Sequence, residues 1–173
     1  MDLSKVVVLD TETTGLSSSD EILQVSIIDG NGITLMNKYF KPKNHHEWTE
    51  AMKFNQITPE RVKDCPNFSS AITEIEKILN DCDVICGYNV NYDIQMLVNN
   101  GVNIPSRQIH DVMLKFAEIM NVKRTDGRLK WFKLCDCANF YNFKLKEGQS
   151  LHDSLTDVLA TLHCYRKIGV SNF

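Results

Sequence analysis

The chain has 173 residues, which is enough for one domain with a substantial hydrophobic core. Its net charge is −3 at pH 7, which argues against a protein that coats nucleic acid through a global positive field. The six cysteines lack the paired spacing of a structural zinc site, and no apolar run approaches the length of a membrane span. We expect a single domain over residues 1–173, with reduced thiols and a cytoplasmic location.

The first third of the chain predicts three strands. Residues 5–11 are rich in valine and apolar on both faces, as is typical of a central strand covered on both sides. A second strand is predicted over residues 21–29 and a third over residues 33–40, and the Asp-Gly-Asn-Gly sequence at 29–32 is a hairpin signal. These strands should form an antiparallel meander.

The rest of the chain alternates between helices and strands. A short helix is predicted over residues 51–56, and Thr58 followed by Pro59 indicates another helix start. The later predictions are a helix from Ser69 or Ser70 with an apolar face, a strand at 83–87, a helix that contains Ile94, Leu97 and Val98 and ends at 99–101, a strand at 107–110, and helices after Asp111, over 134–140 and over 150–167. This order predicts an α/β domain with a mixed five-stranded sheet flanked by helices.

Two carboxylates lie in the first strand and its continuation. Asp10 and Glu12 are two residues apart, so their side chains share one face of the strand. An uncompensated buried charge is costly, and such pairs usually bind metal or perform chemistry. Two solvated acids at a strand end would explain the charges, but not the Thr-Thr-Gly turn at 13–15, whose N–H groups could hold a nucleotide.

Further acidic residues mark the starts of later helices. Helix capping explains Asp93 equally well when it is considered alone, and we favour a capping role for Asp111. His152 and Asp157 bracket the predicted start of the last helix, where Asp157 can face the sheet, although a surface or capping role would also account for His152. Taken together, four acidic groups and one histidine are what a two-metal phosphodiesterase requires.

In their order along the chain, residues 10–15, 89–93 and 152–157 resemble the three motifs of the DEDDh-type 3′–5′ exonucleases. This is the proofreading-subunit-like branch of the ribonuclease H-like superfamily, to which the subunit epsilon of DNA polymerase III belongs. His152, five residues before Asp157, selects the histidine branch over the tyrosine branch. Residues 51–62 resemble the family's connection before its first long helix, so the resemblance covers nearly the whole chain.

The resemblance implies a metal-dependent hydrolase of DNA replication, DNA repair or RNA turnover. It would remove nucleoside 5′-monophosphates from the 3′ ends of single-stranded DNA or RNA. The resemblance implies that His152 is the general base and that two Mg²⁺ or Mn²⁺ ions are held by Asp10, Glu12, Asp93 and Asp157.

Substrate contacts are also implied by the resemblance. Glu12 and the backbone around Thr13 would bind the terminal 3′-hydroxyl, and Leu16 would wedge against the last bases. Asn89 would orient the second motif. The full set of implied substrate-binding residues is Thr13, Gly15, Leu16, Tyr88 and Asn89.

Two features leave the substrate open. Family members often carry histidine where this chain has Tyr88, which puts any substrate preference set at that position in doubt. The basic, aromatic stretch 123–133 is either a phosphate-binding and base-stacking surface or a solvated loop with a buried Trp131. The motifs do not distinguish DNA from RNA, and a polymerase partner or a homodimer also stays open.

Two alternatives compete with the exonuclease. The first is a non-catalytic module of the same fold that binds a nucleic-acid end or a partner, and the presence of all five catalytic residue types argues against it. The second is an all-helical HD-type phosphohydrolase, suggested by His110-Asp111 and His152-Asp153. The early strands argue against that fold.

Overall fold

A computed structural model describes residues 2–169 and 172–173 of the chain. Its five strands are β1 (Val6–Thr13), β2 (Ile22–Asp29), β3 (Thr34–Tyr39), β4 (Val84–Gly87) and β5 (Gln108–Asp111). They form one sheet in the order β3-β2-β1-β4-β5. Strands β1, β2 and β3 pair antiparallel, whereas β4 pairs parallel with both β1 and β5. The predicted mixed sheet and its meander are confirmed, and the all-helical alternative is wrong.

Seven α-helices lie within the described residues. They are α1 (Thr49–Asn55), α2 (Pro59–Val62), α3 (Ile72–Asp81), α4 (Val90–Asn99), α5 (Val112–Met120), α6 (Leu134–Phe140) and α7 (Ser154–Ile168). The Thr58 hydroxyl accepts a hydrogen bond from the Arg61 N–H, so it caps α2 as predicted. Asp111 caps α5, because its Oδ1 accepts from the N–H of Met113 at 2.9 Å and that of Leu114 at 3.2 Å.

Three details differ from the sequence predictions. The last helix begins at Ser154 rather than at residue 150, because Asp153 is its N-cap and His152 has a left-handed backbone with φ of 71°. The helix expected from Ser69 or Ser70 begins at Ile72, since residues 68–70 form a 3₁₀ turn. The strand predicted at 107–110 spans Gln108–Asp111, one residue later.

Strand β1 distributes its side chains between two layers of helices. Val7 and Leu9 pack in a core that includes residues of α3 and α4, and Val6 and Val8 pack in a second core with α5, α6 and α7. This alternation confirms a central strand covered on both faces. The same alternation directs the side chains of residues 10 and 12 toward the α7 layer, and that of residue 11 toward the α4 layer.

The short strand β4 leaves part of β1 without a neighbour on that side. Pairing between the two strands covers only Val6–Val8 of β1. After β4 ends at Gly87, the chain enters α4 almost at once. A Cβ on Gly87 would lie 2.8 Å from the Val90 Cβ and 3.1 Å from the Leu9 carbonyl oxygen, so glycine lets α4 start close against β1.

Burial distinguishes core residues from exposed ones among the large aromatic side chains and the cysteines. Phe40 and Trp48 are core residues, whereas Phe54 is 64% exposed. All six cysteines are free thiols, and four of them are buried. Across residues 2–169 and 172–173, none of the helices has the length and apolar character that a bilayer crossing requires.

The cap of α7 generates a prediction about stability. Asp153 Oδ2 accepts hydrogen bonds from the N–H and Oγ1 of Thr156 at 3.2 and 3.0 Å. Replacing Asp153 by Ala removes these bonds, and we expect the free energy of unfolding to fall by about 1 kcal/mol in urea denaturation. Asp153→Asn keeps the capping oxygen and serves as the control. Equal stability of the Ala and Asn variants would contradict the capping role.

Candidate active site

Three carboxylates converge at the end of β1. One oxygen from each of Asp10, Glu12 and Asp157 lies within 4.8 Å of the others. The first two share the face of β1 that looks toward α7, and Asp157 lies in the first turn of that helix. The Ser154 hydroxyl donates to the Asp10 carbonyl oxygen at 2.9 Å, which holds the start of α7 against β1. The predicted proximity of these three residues therefore follows from strand alternation and one helix contact.

Asp93 reaches the same place from the opposite layer. It is buried in α4, and its Oδ1 accepts from the N–H and the hydroxyl of Thr11 at 2.9 and 2.8 Å. Thr11 lies between Asp10 and Glu12 in β1, so these bonds place the Asp93 carboxylate beside the other two. The bonded partners of Asp93 lie on the strand rather than at the start of its own helix, so the capping interpretation of Asp93 is wrong.

The cluster is electrostatically unfavourable without a cation. Burial raises the pKa of Asp10 well above its ordinary value, and the charges of Asp93, Glu12 and Asp157 raise it further. Burial, with the neighbouring Asp157 and Asp93 charges, raises the pKa of Glu12 to about 8. Burial raises the pKa values of Asp93 and Asp157 to about 7. Repulsion among closely spaced carboxylates is what a bound cation would relieve.

The donor chemistry fits a hard divalent cation. Asp10 Oδ2 is buried and has no hydrogen-bond partner among the described residues, which leaves it free to act as a ligand. The available donors are carboxylate oxygens, which suit Mg²⁺ or Mn²⁺ better than softer metals. The structure therefore contains an acidic cluster capable of binding metal.

His152 lies beside this cluster. Its N–H is 3.2 Å from each carboxylate oxygen of Asp157. Its ring is exposed and packs edge-on against Phe54, with 6.3 Å between ring centroids. The left-handed backbone of His152 thus binds Asp157 through the main chain and leaves the imidazole free. Histidine is among the residues that adopt this conformation more readily than most.

A cavity of about 470 Å³ adjoins the carboxylates and is large enough for a nucleotide. Leu16 is 86% exposed and contributes to the lining together with the exposed Phe54, so both present apolar surface to a ligand. The lining residues are Thr11, Glu12, Thr13, Thr14, Gly15, Leu16, Glu50, Ala51, Phe54, Asn55 and Tyr92. The structure thus brings the predicted Thr13, Gly15 and Leu16 to this cavity.

The turn after β1 is fixed by hydrogen bonds. The Thr13 hydroxyl and the Tyr92 hydroxyl donate to the Gly15 carbonyl oxygen at 2.6 and 3.0 Å. The Thr14 N–H donates to the Glu21 carbonyl oxygen at 2.9 Å, so this N–H, which the sequence suggested for nucleotide binding, is already used. These bonds determine where the turn presents Leu16.

Sequence reasoning did not assign several lining residues of the cavity to the site, among them Phe54, Asn55 and Tyr92. Asn55 is buried and donates to the Thr13 carbonyl oxygen at 3.2 Å. Its side chain also lowers the pKa of Glu12 against the effect of burial. Phe54 and Tyr92 also line the cavity. The one sequence signal for Phe54 and Asn55 was the resemblance of residues 51–62 to a family connection, and Tyr92 lies next to Asp93 within the second motif.

Two predicted substrate-binding residues lie outside the cavity lining. Asn89 adopts a left-handed conformation with φ of 62°, and its N–H donates to Asp111 Oδ1 at 3.2 Å, so it shapes the turn into α4. The Tyr88 hydroxyl donates to the carbonyl oxygens of Phe132 and Lys133 at 2.8 and 3.1 Å. Its ring packs against the core beneath α5, α6 and α7.

Several known proteins are similar to this chain. An exonuclease named CP81 from Escherichia phage 186 is 27% identical over 166 residues, which cover 90% of this chain and 84% of that protein. DNA polymerase III subunit epsilon of Rickettsia prowazekii is 28% identical over 92% of this chain and 71% of its own length. RNA exonuclease 4 of Gibberella zeae is 23% identical over 96% of this chain, which spans only 50% of that longer protein.

Solved structures share the fold. Exonuclease X, in complex with 5′ overhanging duplex DNA, superposes with a TM-score of 0.74 at 16% identity, over 96% of this chain and 92% of its own. Escherichia coli Exonuclease I, in complex with a dA16 oligonucleotide, gives a TM-score of 0.70 at 16% identity, over 96% of this chain and 42% of its own. The exonuclease family model (RNase_T) matches residues 7–165, and the chain therefore belongs to the exonuclease family.

Proposed function

We propose that this chain is a DEDDh-type 3′–5′ exonuclease that releases nucleoside 5′-monophosphates from single-stranded DNA or RNA. The observation that carries the proposal is the convergence of Asp10, Glu12 and Asp157, with Asp93 tied to the same strand segment. The exposed His152 ring beside them supplies the fifth group. Both DNA polymerase III subunit epsilon and RNA exonuclease 4 are relatives, which is why both nucleic acids are included.

The four carboxylates Asp10, Glu12, Asp93 and Asp157 would hold two Mg²⁺ or Mn²⁺ ions. Bound there, the ions would supply positive charge to the phosphodiester oxygens during an in-line displacement. Their binding would also relieve the repulsion among these closely spaced, buried carboxylates. The requirement for a cation is thus a property of the site as well as of the reaction.

His152 would accept the proton of the attacking water. Its ring is exposed next to the carboxylate cluster, while its N–H holds Asp157 in place. A base must be held within reach of the proton it removes. The left-handed backbone at His152 lets the main-chain N–H bind the Asp157 carboxylate while the imidazole ring stays available to accept a proton.

The cavity would hold the terminal nucleotide. Leu16 and Phe54 would contact the base through their exposed apolar side chains. Glu12 and the backbone at Thr13 would bind the 3′-hydroxyl, with Asn55 holding the Thr13 carbonyl oxygen. Recognition of that hydroxyl would give the enzyme its 3′ polarity.

We place these functions in one catalytic domain over residues 1–173 that acts in the cytoplasm, alone, as a homodimer or with a polymerase.

The polarity and metal requirement can be tested by digestion of 5′-labelled single strands. We expect a ladder that shortens from the 3′ end with Mg²⁺ or Mn²⁺ and stops with EDTA. A strand that ends in a 3′-phosphate should resist digestion, because the cavity would bind a free hydroxyl. Immediate release of the labelled 5′ nucleotide would contradict the proposal. Asp93→Asn, which keeps an oxygen for Thr11 and hence the fold, should abolish the ladder.

Replacing Glu12 by Gln tests the electrostatic cost of the cluster. The folded pKa of Glu12, about 8, exceeds its ordinary value of 4.5, so the folded state holds the proton more tightly than the unfolded state. The carboxyl therefore costs no stability below pH 4.5, and its cost grows as pH rises toward 8. In EDTA at pH 8, we expect Glu12→Gln to raise the free energy of unfolding by at least about 1 kcal/mol, with no gain at pH 4.

The same variant should lose the rise in Tm that Mg²⁺ or Mn²⁺ produces in the wild-type protein. Glu50→Gln is a matched control, because Glu50 is an exposed acid at the cavity that pairs with Lys53. It should change neither the pH dependence nor the metal response. A metal-induced Tm shift that survives Glu12→Gln unchanged would contradict the ligand assignment.

Replacing His152 by Ala tests the general base. We expect kcat to fall by about 10²- to 10⁴-fold, since one proton transfer catalyst is lost. The metal-induced rise in Tm should remain, because the four carboxylates are intact. His46→Ala, which removes another exposed histidine, should leave kcat unchanged. Loss of the metal response in His152→Ala would instead assign this residue to metal binding.

A further inference from the structure

A cationic hairpin connects α5 to α6. This segment, residues 122–133, is called the cationic arm below. Lys123 pairs antiparallel with Leu129, and the Lys130 N–H donates to the Val122 carbonyl oxygen at 2.7 Å. The turn contains Gly127 with φ of 81°, a conformation that favours glycine. The arm is therefore an ordered element rather than an irregular loop.

The arm concentrates positive charge in a chain that is negative overall. It has one acid, Asp126, which lies 3.8 Å from the Arg124 guanidinium, so its net charge is +4 while the whole chain carries −3. The cations are Lys123, Arg124, Arg128, Lys130 and Lys133, and all five are exposed. Such a local surplus of positive charge attracts a polyanion, whereas the rest of the protein, which is negatively charged, would repel it.

Trp131 adds an exposed aromatic surface among these cations. Its side chain is 63% exposed, so the alternative of a buried Trp131 is wrong. Exposed aromatic rings beside a basic track are how proteins hold single strands, with bases stacked on the ring and phosphates against the cations. The other basic loop, residues 41–46, adjoins Trp48, but that indole is buried and cannot stack on a base.

The C-terminal end of the arm is attached at the end of the sheet where the carboxylates lie. Strands β1 and β4 run parallel, and Tyr88 directly follows the last residue of β4, so it lies at the same end of the sheet as the carboxylates of Asp10 and Glu12. The Tyr88 hydroxyl donates to the carbonyl oxygens of residues 132 and 133, at the end of the arm. The Phe132 ring also packs edge-on against Phe116 in the core, at 5.4 Å between centroids.

We propose that the cationic arm binds the single strand upstream of its terminal nucleotide, with Trp131 stacked on a base and the cations on phosphates. This inference rests on the proposed exonuclease function, since it concerns the same substrate. It assigns Tyr88 to anchoring the arm, in place of direct contact with the nucleotide in the cavity. Backbone phosphates and base faces are common to DNA and RNA, so the arm should not distinguish between them.

Binding is tested in the Asp10→Asn background, which prevents cleavage. The probes are labelled DNA and RNA strands of about 4 and about 16 nucleotides. Their binding to the protein is measured by fluorescence anisotropy at several NaCl concentrations. The variant combines Arg128→Gln, Lys130→Gln and Trp131→Ala. The matched control is Lys77→Gln with Lys144→Gln, two exposed cations outside the arm. Trp131→Ala alone serves as a milder second variant.

We expect the triple variant to weaken binding of the longer DNA and RNA by at least about tenfold. The slope of log affinity against log salt should fall by about 1.4, because two phosphate contacts are removed at about 0.7 each for single strands. Trp131→Ala alone should weaken binding by at least about fivefold without changing the slope. The control should match the parent protein.

Cleavage supplies the second readout, in a protein that retains Asp10. The triple variant should raise KM for the longer strands, while its hydrolysis of the p-nitrophenyl ester of thymidine 5′-monophosphate stays unchanged. Failure of the wild-type protein to cleave any of these substrates would reject the proposed function, whereas anisotropy would still decide the role of the arm. Unchanged affinity for the longer strands would overturn the inference, as would a loss confined to DNA or to RNA. Reduced self-association by sedimentation with unchanged strand affinity would overturn it in favour of a protein interface.

Discussion

The crowding of carboxylates at the end of β1 is the constraint on which the rest of the site depends. Asp10, Glu12 and Asp157 place oxygens within 4.8 Å of one another, and burial raises the pKa of each. A fold can keep such a cluster only if other contacts hold the groups against their repulsion. Here the contacts are main-chain bonds to Asp157 and paired bonds from Thr11 to Asp93. The mutual repulsion of these carboxylates is therefore built into the fold, and a bound cation would relieve it.

The acidic residues of the site come from both faces of the sheet. Alternation along β1 points residues 10 and 12 toward α7, and it points Thr11 toward α4. Strand β4 ends early enough to leave this part of β1 open on one side, and the tight approach at Gly87 brings α4 into the gap. One strand segment of three residues thus collects carboxylates from three elements that are far apart in sequence.

Local rules explain what could be predicted from the sequence. The meander follows from apolar patterning and a hairpin signal, and the caps at Thr58 and Asp111 follow from residue chemistry. The ordered motifs indicated the acidic residues, and strand alternation brought two of them together. The contributions of Asn55 and Tyr92 could not be predicted in this way, because each depends on a tertiary contact with the turn after β1. The same holds for Tyr88, because its hydroxyl donates to the carbonyl oxygens of Phe132 and Lys133, which follow it by 44 and 45 positions in the sequence.

In the proposed function an anionic site acts on a polyanion, so the electrostatic attraction for the substrate must come from another part of the protein. The carboxylates repel phosphates until cations bind, and the whole chain carries a charge of −3. Bound divalent ions can neutralise the cluster, but they act only within the last few ångströms of the scissile group. In the proposed function, a separate basic element at the same end of the sheet would hold the strand, and the cavity would select the end of that strand. The cationic arm is anchored through Tyr88, directly after β4, at the end of the sheet where β1 carries Asp10, and this position is consistent with the two separate tasks.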